Sequence, residues 1–285
     1  NVFTLRNFED TNRILAAARG ASRAVVVGSS FIGMEAASGL TQLGVQLTVV
    51  SPDRLPFEAV LGEKIGQLFR QVHEEQGVVF RLEQQVTRIE GSDGVEAVML
   101  DNAERLDADL VVIGIGVQPA TEFLQGITLN PDGSVPVDEY LRVADGLYAA
   151  GDIACYPDVR TGTRTRIEHW RVAAQHGRVA ACNMAGQTVK FAGVPVFWTS
   201  QFKFPLRYIG HAEKWDEIIL DGDLEARQFL AYYVKDGRVL AIAASQRDTQ
   251  MAALHELMRL GHLPEAEQLR HGPLDPLKLL EAVVR

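Results

Sequence analysis

A chain of 285 residues with 47% hydrophobic content is long enough for about two or three compact domains. Its net charge of −9 repels the phosphate backbone of nucleic acids, so we expect no nucleic-acid partner. Its longest apolar stretch, 110–117, is far shorter than the roughly 20 residues of a membrane span. Two cysteines without a C-x-x-C spacing favour a reducing, cytoplasmic setting and give no metal site.

The chain opens with a predicted strand at 1–5 and a predicted helix at 10–19, for which Asp10 or Thr11 would be the N-cap. It starts in the middle of an expected structural unit and without an initiator Met. We therefore expect the sequence to be a piece of a longer protein.

The next stretch predicts a strand, a glycine turn, a helix and a parallel strand. The apolar run 24–27 ends at Gly28, a helix is predicted at 31–43, and a second apolar run occupies 45–50. The dinucleotide fingerprint G-x-G-x-x-G is incomplete, because Ser30 occupies the position of its second glycine. The pattern favours dinucleotide binding, and a purely structural crossover is the alternative.

A proline-containing turn follows, and then a predicted helix at 61–76 that Gly77 would close. We predict a third parallel strand followed by an antiparallel hairpin, and finally a buried strand; these lie at 78–82, 86–90, 95–100 and 110–113. The loop 114–121 contains two glycines and a proline, which indicate either a close approach to a ligand or domain, or an ordinary strand-end turn.

The second half begins with short predicted strands at 135–137 and 147–149. Asp152 follows the latter strand, where a carboxylate could bind sugar-like hydroxyls or act as an N-cap. Trp170 precedes a predicted helix at 171–184 and would be either a packing anchor or a stacking surface.

The remaining sequence predicts an α+β domain with an antiparallel sheet. Its predicted strands are 197–202, 207–210, 217–220, 228–234 and 239–244, and its predicted helices are 250–259 and 277–284. The pair Asp236–Gly237 predicts a tight hairpin between the last two strands.

Five motifs occur in one order along the chain: GSSFIGME, VVIGIGVQPA, YAAGD, EHW and FWTSQF. Together they resemble the flavoprotein pyridine nucleotide oxidoreductases, and within these most closely the apoptosis-inducing-factor-like proteins and the NADH–ferredoxin reductases of Rieske oxygenase systems. The resemblance covers essentially the whole chain. It implies an α/β fold with a Rossmann-like NAD(P)H-binding domain, the remainder of a split FAD domain of the three-layer ββα type, and a C-terminal α+β domain.

The implied boundaries are 8–116 for the NAD(P)H domain, 1–7 with 117–190 for the FAD domain, and 191–285 for the C-terminal domain. Such proteins begin with an FAD-binding strand, glycine turn and helix, and the sequence does not contain them. The resemblance therefore implies that this chain alone does not hold FAD stably.

The resemblance also assigns residues to three groups of contacts. The NAD(P)H contacts would be Gly28, Ser30, Phe31, Ile32, Gly33, Ser51, Arg54, Gly114, Gly116 and Pro119. The FAD contacts would be Gly151, Asp152, Glu168, His169, Trp170, Phe197 and Trp198. Glu35 and Trp170 would lie where nicotinamide and flavin meet, although Glu35 could instead only complement a helix dipole.

The choice between NADH and NADPH stays open at the second strand. Ser51 stands where an acid usually binds the adenosine ribose, and Ser51 with Arg54 could take a 2′-phosphate. Asp53 argues for NADH, which we favour slightly.

The implied activity is transfer of hydride from NADH or NADPH to FAD, and then of single electrons to a ferredoxin or Rieske-type iron–sulfur protein, without an acid–base residue. A disulfide reductase or NADH oxidase of the same fold is one alternative, and a non-catalytic nucleotide-binding module is another. The sequence leaves a homodimer open.

Overall fold

The structure is a computed structural model that describes residues Asn1–Arg285. The chain forms two compact units. The first comprises Asn1–Gly116 and Thr199–Pro205, and the second comprises Val117–Trp198 and Leu206–Arg285. None of the helices combines the length and the apolar composition that crossing a membrane requires.

The first unit is an α/β structure. Its strands are β1 (Val2–Thr4), β2 (Arg23–Val27), β3 (Gln46–Ser51), β4 (Val79–Leu82), β5 (Val86–Glu90), β6 (Ala97–Leu100), β7 (Arg105–Asp107) and β8 (Leu110–Ile113). Its helices are α1 (Phe8–Ala18), α2 (Phe31–Gln42), α3 (Glu58–Leu61) and α4 (Glu63–Glu74). Strands β1, β8, β2, β3 and β4 form, in that order, a parallel sheet.

The predicted strand–turn–helix–strand unit is confirmed as β2, α2 and β3. Strand β2 is a continuous apolar run because parallel strands are covered on both faces; Val25 and Val26 are at most 1% exposed. The antiparallel sheet β5–β6–β7 packs on the parallel sheet through a cluster that includes Val25, Val98 and Val111. The predicted hairpin is therefore present, with β7 as a third strand that the sequence did not indicate.

Two predicted helix bounds in this unit were wrong. Helix α1 begins at Phe8 rather than Asp10, because Asn7 is its N-cap: the Asn7 Oδ1 accepts from the Asp10 backbone N–H at 2.9 Å, and the Asp10 carboxylate accepts from the Asn7 backbone N–H. The helix predicted at 61–76 is the shorter α4, Glu63–Glu74, because Gly62, whose φ of 79° a helix does not allow, separates it from the short α3.

The second unit contains the remaining elements. Its strands are β9 (Val135–Pro136), β10 (Arg142–Ala144), β11 (Leu147–Tyr148), β12 (Ala154–Pro157), β13 (Arg164–Thr165), β14 (Val196–Gln201), β15 (Phe204–Gly210), β16 (Glu217–Asp223), β17 (Gln228–Lys235) and β18 (Arg238–Ser245). Its helices are α5 (Trp170–Met184), α6 (Asp248–Leu260), α7 (Ala266–Arg270) and α8 (Pro276–Val284). The tip of the β14–β15 hairpin, Thr199–Pro205, belongs to the first unit.

The predicted antiparallel sheet is confirmed, with strand order β14–β15–β18–β17–β16 and a tight turn at Asp236–Gly237. An apolar cluster that includes Ile242, Leu254 and Leu269 joins this sheet to α6 and α7. A separate cluster around Tyr156, Val172 and Phe191 joins β12 to α5. The second unit therefore has two cores.

The compact units follow other bounds than the three predicted domains. Residues 1–7 lie in the first unit, because β1 pairs with β8 in register Val2 to Val111. Residues 117–190 share the second unit with most of 191–285. The division of the chain by bound cofactor stays a prediction.

Candidate functional site

Three glycines bring β2, α2 and β8 into direct backbone contact. A Cβ on Gly28, which has a φ of 108°, would lie 2.3 Å from the carbonyl oxygen of Gly114. A Cβ on Gly33 would lie 2.1 Å from the carbonyl oxygen of Gly28, and a Cβ on Gly114 would lie 2.9 Å from the amide nitrogen of Gly33. These distances leave no room for side chains, so the three buried glycines allow the backbones of β2, α2 and β8 to pack closely at the carboxyl edge of the sheet.

The N-terminus of α2 opens beside the glycine contact. Ser30 is the N-cap residue, is exposed, and makes no capping hydrogen bond through its hydroxyl. The first N–H groups of a helix have no intrahelical acceptor and carry the positive end of the helix dipole. The first turn of α2 also has no acidic residue that would compete for them. Backbone and dipole together suit a pyrophosphate.

The end of β3 carries a hydrogen-bonded relay of two serines and an aspartate. The buried Ser29 Oγ donates to the Ser51 Oγ at 2.8 Å, and the Ser51 Oγ donates to the Asp53 Oδ2 at 2.9 Å. Arg54 is paired with Glu58 and Glu63. The two groups predicted to take a 2′-phosphate are thus both engaged, although Arg54 is exposed like the neighbouring Asp53 carboxylate.

A cavity of about 370 Å³ lies at the carboxyl end of β4 and along α4. It is lined by Arg54, Leu55, Glu63, Gln67, Arg70, Phe80, Leu82 and Glu83. None of the three contacting glycines lines it. The cavity therefore adjoins the end of β3 and is separate from the pyrophosphate position.

Glu35 lies on the exposed face of α2, one helical turn beyond Phe31. Its Oε1 accepts a hydrogen bond of 2.6 Å from the Thr199 hydroxyl. Thr199 was not among the predicted site residues, because in FWTSQF only the aromatic side chains had been assigned a role. The available signal was the spacing of Thr199 and Gln201, which are two positions apart and therefore lie on the same face of a strand.

In the second unit, Gly151 and Asp152 form a 3₁₀ turn after β11. The Gly151 backbone N–H donates to the Nδ1 of His176 on α5 at 3.2 Å. His176 is fully buried, and burial lowers its pKa to about 4, so the ring is neutral and its Nδ1 can accept. This hydrogen bond fixes the turn that carries Asp152.

The N-terminus of α5 begins at the predicted EHW motif. His169 is the N-cap residue, and its Nδ1 accepts from the Arg171 backbone N–H at 3.3 Å. Burial and the nearby Arg171 lower the pKa of His169, which keeps the ring neutral for this role. The Glu168 carboxylate is ion-paired with Arg166 at 2.5 Å.

Exposed aromatic rings surround this helix start. Trp170 is 65% exposed and Trp198 is 46% exposed, and their rings meet at 5.7 Å in a nearly perpendicular arrangement. The His169 ring lies 5.5 Å from that of Trp198, while Phe197 stacks on Tyr208 at 4.8 Å. Large rings left in solvent at a helix N-terminus suit the face of a flat heterocycle.

The predicted NAD(P)H contacts therefore lie on the first unit, except Pro119, and the predicted FAD contacts lie on the second. Gly116, with a φ of 113°, ends the first unit. Glu35 belongs to the first unit and Trp170 to the second, and the predicted role of both residues at the nicotinamide and flavin stays a prediction.

Comparison with known proteins identifies two families along the chain. The pyridine nucleotide-disulphide oxidoreductase family matches residues 1–177, and the reductase C-terminal family matches residues 196–280. Apoptosis-inducing factor 3 of Mus musculus is 39% identical over 266 residues, which are 92% of this chain and 44% of that protein. The chain thus spans less than half the length of this relative.

Two further relatives are reductases. The anthranilate 1,2-dioxygenase system ferredoxin–NAD(+) reductase component of Burkholderia cepacia is 31% identical over 267 residues, which cover 93% of this chain and 66% of that protein. The crystal structure of the covalent putidaredoxin reductase–putidaredoxin complex matches with a TM-score of 0.90 and 29% identity, over 99% of this chain and 69% of that one.

Proposed function

We propose that this chain, which belongs to the pyridine nucleotide-disulphide oxidoreductase family, acts in a flavoprotein reductase that passes hydride from NADH to FAD and single electrons to a ferredoxin-type protein. The observation that carries the proposal is the contact of Gly28, Gly33 and Gly114 beside the uncapped start of α2. The closely packed glycines bring the α2 N-terminus, which has no side-chain cap, to the carboxyl edge of the parallel sheet, where dinucleotides bind in this type of fold.

The first unit would orient the dinucleotide along this edge. The pyrophosphate would lie on the backbone of Gly28–Gly33, and the adenosine would extend toward β3, which neighbours β2 on one side. The nicotinamide would then extend toward β8 on the other side, where Gly114 and Gly116 lie. Asp53, positioned by Ser51, would accept the ribose hydroxyls and repel a 2′-phosphate, which supports NADH over NADPH.

The second unit offers groups that fit a flavin. Asp152, fixed through the Gly151–His176 hydrogen bond, would accept ribitol hydroxyls. The N-terminus of α5 presents its positive dipole end, which suits negative charge on a reduced isoalloxazine ring. Trp170, Phe197 and Trp198 would exclude water from the ring. A bound flavin supplies the conversion from two-electron to one-electron transfer, and no acid–base residue is required of the chain.

The acceptor class rests on the relatives. The Burkholderia cepacia relative is named a ferredoxin–NAD(+) reductase component, and the matched crystal structure is of a complex with putidaredoxin. A cytoplasmic setting is supported by two cysteines, Cys155 and Cys182, that form no disulfide.

The test is anaerobic addition of NADH to the protein in the presence of excess FAD, because this chain alone is not expected to hold FAD stably. We expect NADH to bleach the flavin absorbance and added putidaredoxin to reoxidise the flavin by one-electron steps. Turnover of a small disulfide in place of putidaredoxin would support the disulfide-reductase alternative. Binding of NADH without any reduction of the added flavin would instead support a non-catalytic module.

A further inference from the structure

Four side chains form a continuous hydrogen-bonded chain between the surface of α2 and the interior of the first unit. The His73 Nε2 lies 2.7 Å from the Gln201 Oε1, the Gln201 Nε2 donates to the Thr199 Oγ1 at 3.0 Å, and the Thr199 Oγ1 donates to the Glu35 Oε1 at 2.6 Å. We call these four residues the Glu35 relay. All four belong to the first unit.

The relay is buried everywhere except at its end. His73 and Gln201 are 0% exposed and Thr199 is 2% exposed, whereas Glu35 is exposed. Burying three polar side chains is costly unless they are paired, and apolar side chains would fill the same space more cheaply. Simple packing therefore does not account for the choice of these residues.

The hydrogen bonds of the relay have a single direction. An amide oxygen only accepts, so His73 must donate its Nε2–H to Gln201. The Gln201 amide N–H occupies a lone pair of the Thr199 oxygen, which leaves the Thr199 proton for Glu35. Every donor thus points toward the Glu35 carboxylate.

We propose that Thr199 and Gln201 are positioning residues for Glu35, which they hold as an oriented carboxylate whose second oxygen binds the carboxamide N–H of the nicotinamide. This inference rests on the proposed dinucleotide site. His73 anchors the relay: its ring meets Phe202 edge-on at 4.8 Å, and its neutral state is maintained because burial lowers its pKa to about 4.

The chemistry of the ligand follows from the polarity of the relay. Glu35 is exposed, so a donor on a ligand can replace water at the carboxylate oxygen that Thr199 does not occupy. The ribose hydroxyls and the adenine amino group of a dinucleotide are also donors, but the carboxamide is the donor carried by the reacting ring, and ADP-ribose has the former without the latter. An oriented Glu35 would therefore distinguish NADH from fragments that lack nicotinamide.

The experiment measures the dissociation constants of NADH and of ADP-ribose for the full chain by calorimetry. The variant Thr199→Val removes the hydroxyl at nearly constant volume. We expect it to raise the dissociation constant of NADH roughly 10-fold and to leave that of ADP-ribose unchanged. Thr199→Ser, which keeps the hydroxyl, should restore NADH binding. Thr41→Val serves as the matched control, because Thr41 lies on α2 with Glu35 and its buried hydroxyl has no hydrogen-bond partner.

Equal weakening of NADH and ADP-ribose in Thr199→Val would reduce Thr199 to a structural role and overturn the inference, as would unchanged binding of both. If the unsubstituted chain bound neither ligand, the dinucleotide site itself would be wrong.

A second measurement needs no variant and no cofactor. Long-range nitrogen–proton NMR of the imidazole should show His73 neutral and protonated at Nε2. Protonation at Nδ1 instead would reverse the first hydrogen bond of the relay and overturn the proposed direction.

Discussion

The candidate site on the first unit is built from backbone, whereas the candidate site on the second unit is built from side chains. On the first unit, the buried glycine contact between β2, α2 and β8 consists of backbone, and its distances exclude any side chain. On the second unit, the start of α5 presents large rings, of which Trp170 is 65% exposed. Backbone sites depend on space, whereas side-chain sites depend on residue identity. Adding a single methyl group to the site on the first unit should thus reduce both stability and dinucleotide binding. Removing a ring from the site on the second unit should weaken flavin binding without reducing stability.

The largest effect is expected from Gly33→Ala. The new Cβ would lie 2.1 Å from the Gly28 carbonyl oxygen, a backbone atom that cannot move cheaply, so we expect a loss of about 3 kcal/mol in the free energy of unfolding, together with dinucleotide binding. Gly39→Ala on the same helix meets nothing within 4 Å and should stabilise by about 0.5–1 kcal/mol. Urea midpoints measure both, and equal midpoints would contradict the close contact.

Each unit also buries one neutral histidine, and acid should act on both. The pKa of His73 and that of His176 are lowered to about 4 by burial, from 6.5. Their contribution to stability is complete above pH 6.5 and is lost as the pH falls toward 4, because the unfolded chain takes up the protons first. We expect each histidine to lower the free energy of unfolding by about 2 kcal/mol as the pH falls from 6.5 to 5.

His73→Gln separates the two units in this experiment. Glutamine keeps an N–H donor but does not titrate, so the variant should lose about half of the pH dependence that the two buried histidines give to urea unfolding. An unchanged pH dependence would show that folding does not shift the pKa of His73.

A smaller effect concerns the choice of cofactor on the first unit. Asp53→Asn removes the negative charge that the Ser51 hydroxyl positions, so we expect the preference for NADH over NADPH to fall about 10-fold in binding titrations. Arg54 is already paired with Glu58 and Glu63, and Arg54→Gln should leave the ratio unchanged. Selective loss of NADPH binding in Arg54→Gln would favour the 2′-phosphate alternative.

The smallest effect on stability is expected from Trp170→Ala on the second unit. The ring is mostly in solvent, so the free energy of unfolding should change by no more than about 0.5 kcal/mol. Flavin binding should weaken nonetheless, because the proposed stacking surface is lost, and Trp170→Phe should retain most of it. Phe123→Ala, at a residue 71% exposed on the same unit, is the control. Equal flavin affinities in all three variants would remove Trp170 from the site.

The sequence predicted what depends on neighbouring residues. The β2–α2–β3 unit, the buried strand β8 and the hairpin at Asp236–Gly237 follow from apolar periodicity and turn glycines, which act over a few positions. The start of α1 was also readable, since Asn7 and Asp10 have capping-box spacing, but the acidic residue was taken for the cap itself. Helix α7 was missed because five residues give almost no periodicity.

Contacts between distant residues could not be predicted in this way. Gln201 meets His73 across 128 positions, and Thr199 meets Glu35 across 164. No local pattern marks a glutamine as the acceptor for a particular histidine. Likewise, Ser51 and Arg54 looked available for a phosphate in sequence, and only the side-chain geometry shows that Asp53, Glu58 and Glu63 occupy them.

The hairpin tip Thr199–Pro205 has a consequence for how the protein is made. The first unit is discontinuous in sequence, since its interior includes Gln201 although the rest of it ends at Gly116. During synthesis on the ribosome, more than a hundred residues are therefore added after His73 before its acceptor, Gln201, is made. Completion of the interior of the first unit is therefore coupled to translation of the β14–β15 hairpin.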